Sequence, residues 1–294
     1  MKEENSLGSD PTGPDDGPGI ALLGHLSALL DALDQSIAAL DRAATPAVVH
    51  EARVQARRLR VLLRVFIRPS APAAVDRQIE ALREIGHYLD AIREADVARQ
   101  EISELAARCN TNAASAFDAL GALRGRERNR AARELKGHLN AAAWSKRIKK
   151  LRVMARNAIR SSAPSGGIES LAGRQFEKRR RRLLKALRRE SNTPFELHRL
   201  RLKVKFMRYL CEELSWSIKD SRQLQIKQLR ALQTCLGDLR DGWHLQESLL
   251  EETRYPKAAH ELGTRLAVEQ RLHMREYRRR RKRLLRAWGK QGRS

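Results

Sequence analysis

Aromatic residues are scarce, with Phe, Trp and Tyr together making up 4% of the 294 residues. That shortage argues against modules that hold single-stranded nucleic acid by stacking bases on side-chain rings. Cysteine is scarcer still. Cys109, Cys211 and Cys235 are an odd number with no CxxC pair and no spaced histidine partner, so neither a disulfide framework nor a zinc site is expected. They read as reduced thiols of a cytosolic protein. No stretch approaches the roughly 18 consecutive apolar residues of a membrane helix. The acidic, Gly/Pro-rich start does not resemble a secretory signal, so an intracellular protein without a membrane partner is expected. Catalytic signatures are missing as well: there is no GxxxxGK[ST], HExxH or GxSxG, and no matched acid and base. Asp238 and Asp241 stand three apart on a helical stretch, but partnering Arg240 is a simpler use for them than holding a metal. No enzyme and no cofactor are expected.

What the chain has is positive charge. Lys and Arg number 59 against 35 Asp and Glu, a net charge of +24, in a chain that is 41% hydrophobic and 32% charged. That is enough apolar material for a sizeable core and too much for a disordered polycation. The charge is uneven, because residues 1–49 hold Lys2 and Arg42 against eight acidic side chains and net −6, leaving +30 for the remainder. So large an excess repels itself unless it faces a polyanion. Nucleic acid, an anionic membrane surface and polyphosphate are the candidate partners, and the membrane is set aside because no amphipathic helix places bulky Trp or Phe anchors opposite a Lys-rich face.

Residues 1–19 combine Gly, Pro, Ser and acids with no apolar period and are expected to form a disordered tail. From Ile20 the pattern becomes helical. Leu22, Leu26, Leu29, Leu33, Ile37 and Leu40 recur at threes and fours, the spacing of one buried helical face. Comparable stripes follow at roughly 46–67, 72–107, 112–140, 142–160, 168–190, 194–216, 220–250 and 256–288, with no sustained period-two alternation. An all-α protein is predicted. The linker at 161–167, Ser-Ser-Ala-Pro-Ser-Gly-Gly, divides the folded region into halves at 20–160 and 168–290.

Those halves repeat. Thr45-Pro46 precedes His50 as Thr193-Pro194 precedes His198, an offset of 148. At the same offset Arg53 matches Arg201, Arg57 matches Lys205, Arg60 matches Arg208, and Ala52, Ala56 and Leu59 match Leu200, Val204 and Met207. Further on, Leu89, Ile92 and Arg93-Glu94 match Leu236, Leu239 and Arg240-Asp241 at an offset of 147, while Asp90 falls opposite Gly237. An internal duplication accounts for all of these together.

Each repeat places His-x-x-Arg-x-x-x-[Arg/Lys]-x-x-Arg on a helix. At about 100° per residue the four positions fall within an arc of about 80°, a ladder of cations beside one histidine. Arg64 extends the ladder in the first half, and Glu212 interrupts it at the matching place in the second. Like charges at this spacing repel and cost helix stability. A single basic run is most simply a solvated face and a single histidine a satisfied core residue, but the same spacing twice favours an extended anion as ligand, with phosphate oxygens on guanidinium forks. An adjacent anion would also favour the charged form of each histidine. Arg174, Lys178, Arg181 and Lys185 share a face of the preceding helix and are predicted to form the opposite wall of a groove. The cluster at 146–152 and the run Arg278 to Arg283 read as solvated faces or nonspecific anion contacts.

With both histidine helices in view, VHEARVQARRLRVLLRVF and LHRLRLKVKFMRYLCEEL, together with LGDLRD at 236–241, the sequence resembles the CHAD family, the conserved histidine α-helical domain, over nearly everything after residue 20. The resemblance implies two pseudo-symmetric antiparallel four-helix bundles around a basic groove that binds inorganic polyphosphate. It also implies an association of some members with polyphosphate granules. By motif match the binding role falls to His50, Arg53, Arg57 and Arg60 with His198, Arg201, Lys205 and Arg208, and Arg64, which extends the first ladder, is expected to join them. Some members of the family carry a triphosphate tunnel enzyme domain, whose ExExK pattern is not found here. The expected function is therefore noncatalytic polyphosphate binding, and the alternative is nonspecific nucleic-acid binding by the same surface. The slender polyphosphate chain suits a narrow groove, whereas a duplex needs an exposed helix or a flat basic face.

Overall fold

Helical periodicity is realised almost residue for residue. The computed structural model describes residues 17–107, 114–161, 167–189, 192–214, 221–250 and 256–289. They form nine helices, with no strand among the described residues: α1 (Gly17–Arg42), α2 (Pro46–Leu62), α3 (Pro72–Ala106), α4 (Ala114–His138), α5 (Ala141–Arg160), α6 (Gly167–Arg188), α7 (Pro194–Glu213), α8 (Ser221–Leu250) and α9 (Pro256–Gly289). The helix α2 ends in one π-helical turn, Leu63–Ile67, in which all but Arg64 are buried. Most of the expected tail lies outside the described residues, and α1 begins three residues earlier than expected, at Gly17. Pro18 stands in its first turn, where a missing N–H costs no helical hydrogen bond. Most of the linker also lies outside the described residues, but Gly167, with φ +74°, opens α6 in a conformation that suits glycine.

Consecutive helices pack as antiparallel neighbours, α1 on α2, α2 on α3, α3 on α4, and α6 on α7, α7 on α8, α8 on α9. In the second half α9 runs along α8 and ends against α6, where Arg180 Nη1 donates to the Trp288 carbonyl at 2.7 Å. The first half divides that last helix in two, with α4 along α3 and α5 along α1. The break has a local cause. Asn140, at φ −114°, accepts from the Ala143 N–H at 2.9 Å and caps α5.

Two basic runs expected to be solvated are partly engaged. On α5, Ser145 donates to Asp34 at 2.8 Å and Arg152 pairs with Asp31, so the acids of α1 face the cations of α5. From α9, Arg281 Nε donates to the Leu187 carbonyl at 2.6 Å, satisfying an end group of α6. The halves also touch through α1 and α6, α2 and α7, and α3 and α8. Their buried side chains form one continuous core, from Leu22 and Leu59 to Val204, Leu239 and Trp288. Each fully buried Leu in it contributes about 1.5–3 kcal/mol. Of the cysteines, Cys211 and Cys235 are buried and not disulfide-bonded, and Cys109 lies outside the described residues.

Candidate functional site

The helices α2 and α7 begin alike. Thr45 Oγ1 accepts from the Val48 N–H and Thr193 Oγ1 from the Glu196 N–H, each at 3.3 Å, and each threonine is followed by a proline. Past these caps, Val49, Ala52, Ala56 and Leu59 on α2, and Leu197, Leu200, Val204 and Met207 on α7, are all buried. Burial of one face fixes the direction of the other. The two ladders are thereby brought together where α2 packs on α7.

The clearest sign of their meeting is Lys205, which is 8% exposed. Burial, followed by the charges of Arg57, Arg201 and Arg53 against the opposing pull of Asp90, brings its amine down to about 6. The Arg60 guanidinium is lowered to about 10 by burial and by Arg57 and Arg64. Both histidines are held below their ordinary value, by burial first, then by Arg93 and Arg53 at His50 and by Arg240 and Arg201 at His198. This concentration of cations is partly offset from α3, where Asp90 Oδ1 accepts from Arg53 Nε and Arg57 Nη2, each at 2.6 Å.

Two cavities share His50, Arg53, Arg57 and Lys205. The larger, about 780 Å³, lies between α2, α7 and α8 and adds Arg58, Arg208, Lys227 and Arg230, with Glu212 as the carboxylate in its lining. Glu212 Oε1 accepts from Arg208 at 2.8 Å and from Arg230 at 3.0 Å. The second, about 440 Å³, reaches α3, α4 and α8 and adds Arg93, Arg124, Arg201 and Arg240 together with Glu94, Glu101, Glu127 and Asp241. An ion pair from Arg240 to Glu94 ties α8 to α3 within it. Among the described residues no three His, Cys, Asp or Glu side chains gather to hold a metal ion. Asp241 instead stands 3.7 Å from Arg240, and Asp238 3.8 Å from His273.

Not every expected residue lies here. His198 stands near Arg240, Arg201 and His244 but is not part of either lining. Arg60 and Arg64 continue the first ladder past the cavities, toward Arg83 of α3. The expected second wall is corrected: Arg174, Lys178, Arg181 and Lys185 of α6 line neither cavity. The reason is the orientation of α6, which turns Ala172, Phe176, Leu183 and Leu187 inward and so directs that stripe away from the ladders. Arg174 donates to Ser170, and Lys185 lines a separate outer cleft of about 410 Å³ with Arg182, Arg189, Arg199 and Lys203. What α6 brings toward the ladder is Arg179, 4.6 Å over the Phe206 ring and within the electrostatic reach of Arg64. The actual walls come from α3, α4 and α8. Arg93 and Arg240 carried a signal, because they match in the repeat, whereas Arg124, Lys227 and Arg230 had none in the sequence.

Among the described residues no helix is long and apolar enough to cross a membrane. No curated protein sequence matches the chain. The fold is similar to the crystal structure of the CHAD domain from the plant Ricinus communis, at 22% identity and a TM-score of 0.67, covering 90% of this chain and 91% of that one. It is similar also to PptA from Streptomyces chartreusis, at 17% identity and a TM-score of 0.68, covering 91% of this chain and 99% of that one. Residues 22–250 match the CHAD domain, a region that takes in α2 to α8 and all but the first turn of α1, and the chain belongs to the CHAD family.

Proposed function

We propose that this protein binds inorganic polyphosphate, without chemical turnover, in the groove formed by the two joined cavities. The carrying observation is that two copies of one histidine and cation spacing, 148 residues apart, converge on a single α2–α7 contact. Cations packed this closely repel, and Lys205 at about 6 measures that repulsion together with the burial. A chain of phosphates relieves it, each phosphate offering oxygens to paired guanidinium N–H groups. The ladders are recessed between helices, which favours a slender chain over a duplex. Association with polyphosphate granules is the expected cellular consequence, and localisation of a tagged chain in polyphosphate-rich and polyphosphate-depleted cells checks it.

A second reading is favoured by the outer cleft. Arg182, Lys185, Arg189, Arg199 and Lys203 make no ion pair among the described residues, and Phe195 beside them is 69% exposed with Arg199 over its ring. Such a surface suits nonspecific nucleic-acid binding. Competition of labelled long-chain polyphosphate against single-stranded DNA, duplex DNA and RNA, near physiological salt, separates the two. The expected result is a wide margin for polyphosphate, lost in a His50/Arg53/His198/Arg201 to Ala variant of unchanged helicity. Equal competition by nucleic acid, or a variant that binds like wild type, overturns the groove assignment.

A further inference from the structure

The ladders differ where their first arginines sit. On α2, Arg53 and Arg57 both donate to Asp90, which α3 places within the ladder. Burial would push that carboxyl up, yet Arg57 and Arg53 hold it below the usual range. The matching position on α8 is Gly237, and Arg201 lies against it: a Cβ built there stands 3.7 Å from Arg201 Nη2 and 3.8 Å from Nε. Those are ordinary contact distances, so a side chain fits, and this chain has none.

The consequence falls on Arg201. Its Nε is buried, and no acceptor lies within hydrogen-bond reach among the described residues. The Nε groups of Arg124 and Arg240, which line the same cavity, are buried and unpartnered too, although their terminal nitrogens pair with Glu127 and Glu94. Native proteins leave few buried donors without an acceptor, and three guanidinium donors around one cavity call for an oxyanion. A carboxylate and a phosphate offer a guanidinium the same kind of oxygen acceptor, so Asp90 supplies to Arg53 and Arg57 the direct acceptor that Arg201 Nε lacks, while Asp241 acts on Arg201 only through its charge from within the same cavity.

Resting on the polyphosphate reading above, we propose that Asp90 is a built-in phosphate substitute on the first ladder and that the chain is anchored at the second. The anchoring seat is Arg201 over Gly237, with Arg124 and Arg240 facing the same cavity. The first arginines of one ladder are thus paired before the ligand arrives, and Arg201 at the start of the other takes the ligand's oxygens directly. The two residues that decide this, Asp90 and Gly237, lie on neither ladder helix.

Exchanging the two residues tests the idea, by calorimetric titration of tripolyphosphate and long-chain polyphosphate into the full chain. Gly237→Asp adds a carboxylate at a helix position with room for it and is expected to weaken binding by about tenfold or more, by pairing with Arg201. Asp90→Gly, and Asp90→Asn as the variant that keeps the side chain's shape, are expected to strengthen binding. Both are also expected to steepen the dependence of log affinity on log salt by about one released counterion. Far-UV circular dichroism and thermal melting confirm that the variants are folded. A Gly237→Asp chain that binds like wild type, or Asp90 variants that are folded and bind no more tightly, overturn the seat while leaving polyphosphate binding standing. A wild-type chain without preference for polyphosphate overturns the underlying reading instead.

Discussion

In the first half, a carboxylate stands at the start of the ladder, Asp90 on Arg53 and Arg57, while Arg60 and Arg64 run on without an ion pair among the described residues. In the second half Arg201 has no acceptor at its Nε at the start, with Asp241 acting only through its charge, and the pairing carboxylate stands at the end, Glu212 on Arg208 and Arg230. The same spacing of cations is therefore left available at opposite ends. A repeated motif fixes where the positive charges sit, and single residues on the neighbouring helices decide which of them a ligand can use.

The contrast extends to the contact between the halves, and its removal has the largest expected effect. Glu213 of α7 is fully buried and accepts from His25 of α1 and Arg58 of α2. At the 148-residue offset its counterpart is Val65, and that of Arg58 is Phe206, so the matching place is apolar. Glu213→Ala removes the buried acceptor of two part-exposed cations, Arg58 and His25, and is expected to cost about 1–3 kcal/mol in denaturant unfolding. The pair Glu213→Val with Arg58→Phe, which copies the other half, is expected to recover most of that loss. A double variant as unstable as the single one breaks the comparison.

Next in size is the pH response of the position where Lys205 stands opposite Arg57. With Lys205 at about 6 in the free chain, a bound polyanion raises it and binding takes up a proton between pH 6 and the pKa in the complex. Affinity is then strongest at low pH and weakens as pH rises, approaching tenfold per pH unit for one proton. The lowered histidines His50 and His198 add to the uptake in the same direction. Lys205→Arg, which stays charged, is expected to flatten the profile above pH 7, read by titration in buffers of different ionisation enthalpy. In the unbound protein the same depressed value means that the unfolded chain holds the extra proton above pH 6. Lys205 therefore destabilises the fold fully below that pH, and its cost is relieved progressively toward the ordinary lysine range.

The smallest expected difference is at the caps. Glu196 accepts from the Thr193 N–H at 3.3 Å and completes a capping box on α7, whereas α2 has Val48 at the same place and only the threonine bond. Thr193→Ala should cost about 1 kcal/mol and Thr45→Ala about half as much, in paired melts of the two variants.

The helices were legible because apolar periodicity reports one buried face per helix, and the breaks at Pro46, Pro194 and the linker are marked by residues with known conformational limits. The ladders were legible for the same reason. Periodicity gives each helix a phase but not a neighbour, so the α6 stripe reads as a wall of the groove in the sequence and faces outward in the structure. Asp90 opposite Gly237 was visible in the repeat as a departure. Its meaning needed the packing of α3 on α2 and α8 on α7. Glu213 looks like an ordinary surface charge in the sequence and Lys205 like one more rung of an exposed ladder, and only the structure shows both to be buried.

If polyphosphate is the ligand as proposed, the floor it meets is the contact between α2 and α7, set in a core shared by both halves, while the ligand itself is a flexible chain. For a uniform polymer this has a statistical consequence. Every stretch of a long polyphosphate presents the same row of oxygens, so a chain has nearly as many equivalent registers on the groove as it has phosphates. Dissociation from one register leaves the neighbouring ones within immediate reach. Affinity expressed per chain therefore grows with chain length even after the groove is filled, while affinity expressed per phosphate levels off at the length the groove holds.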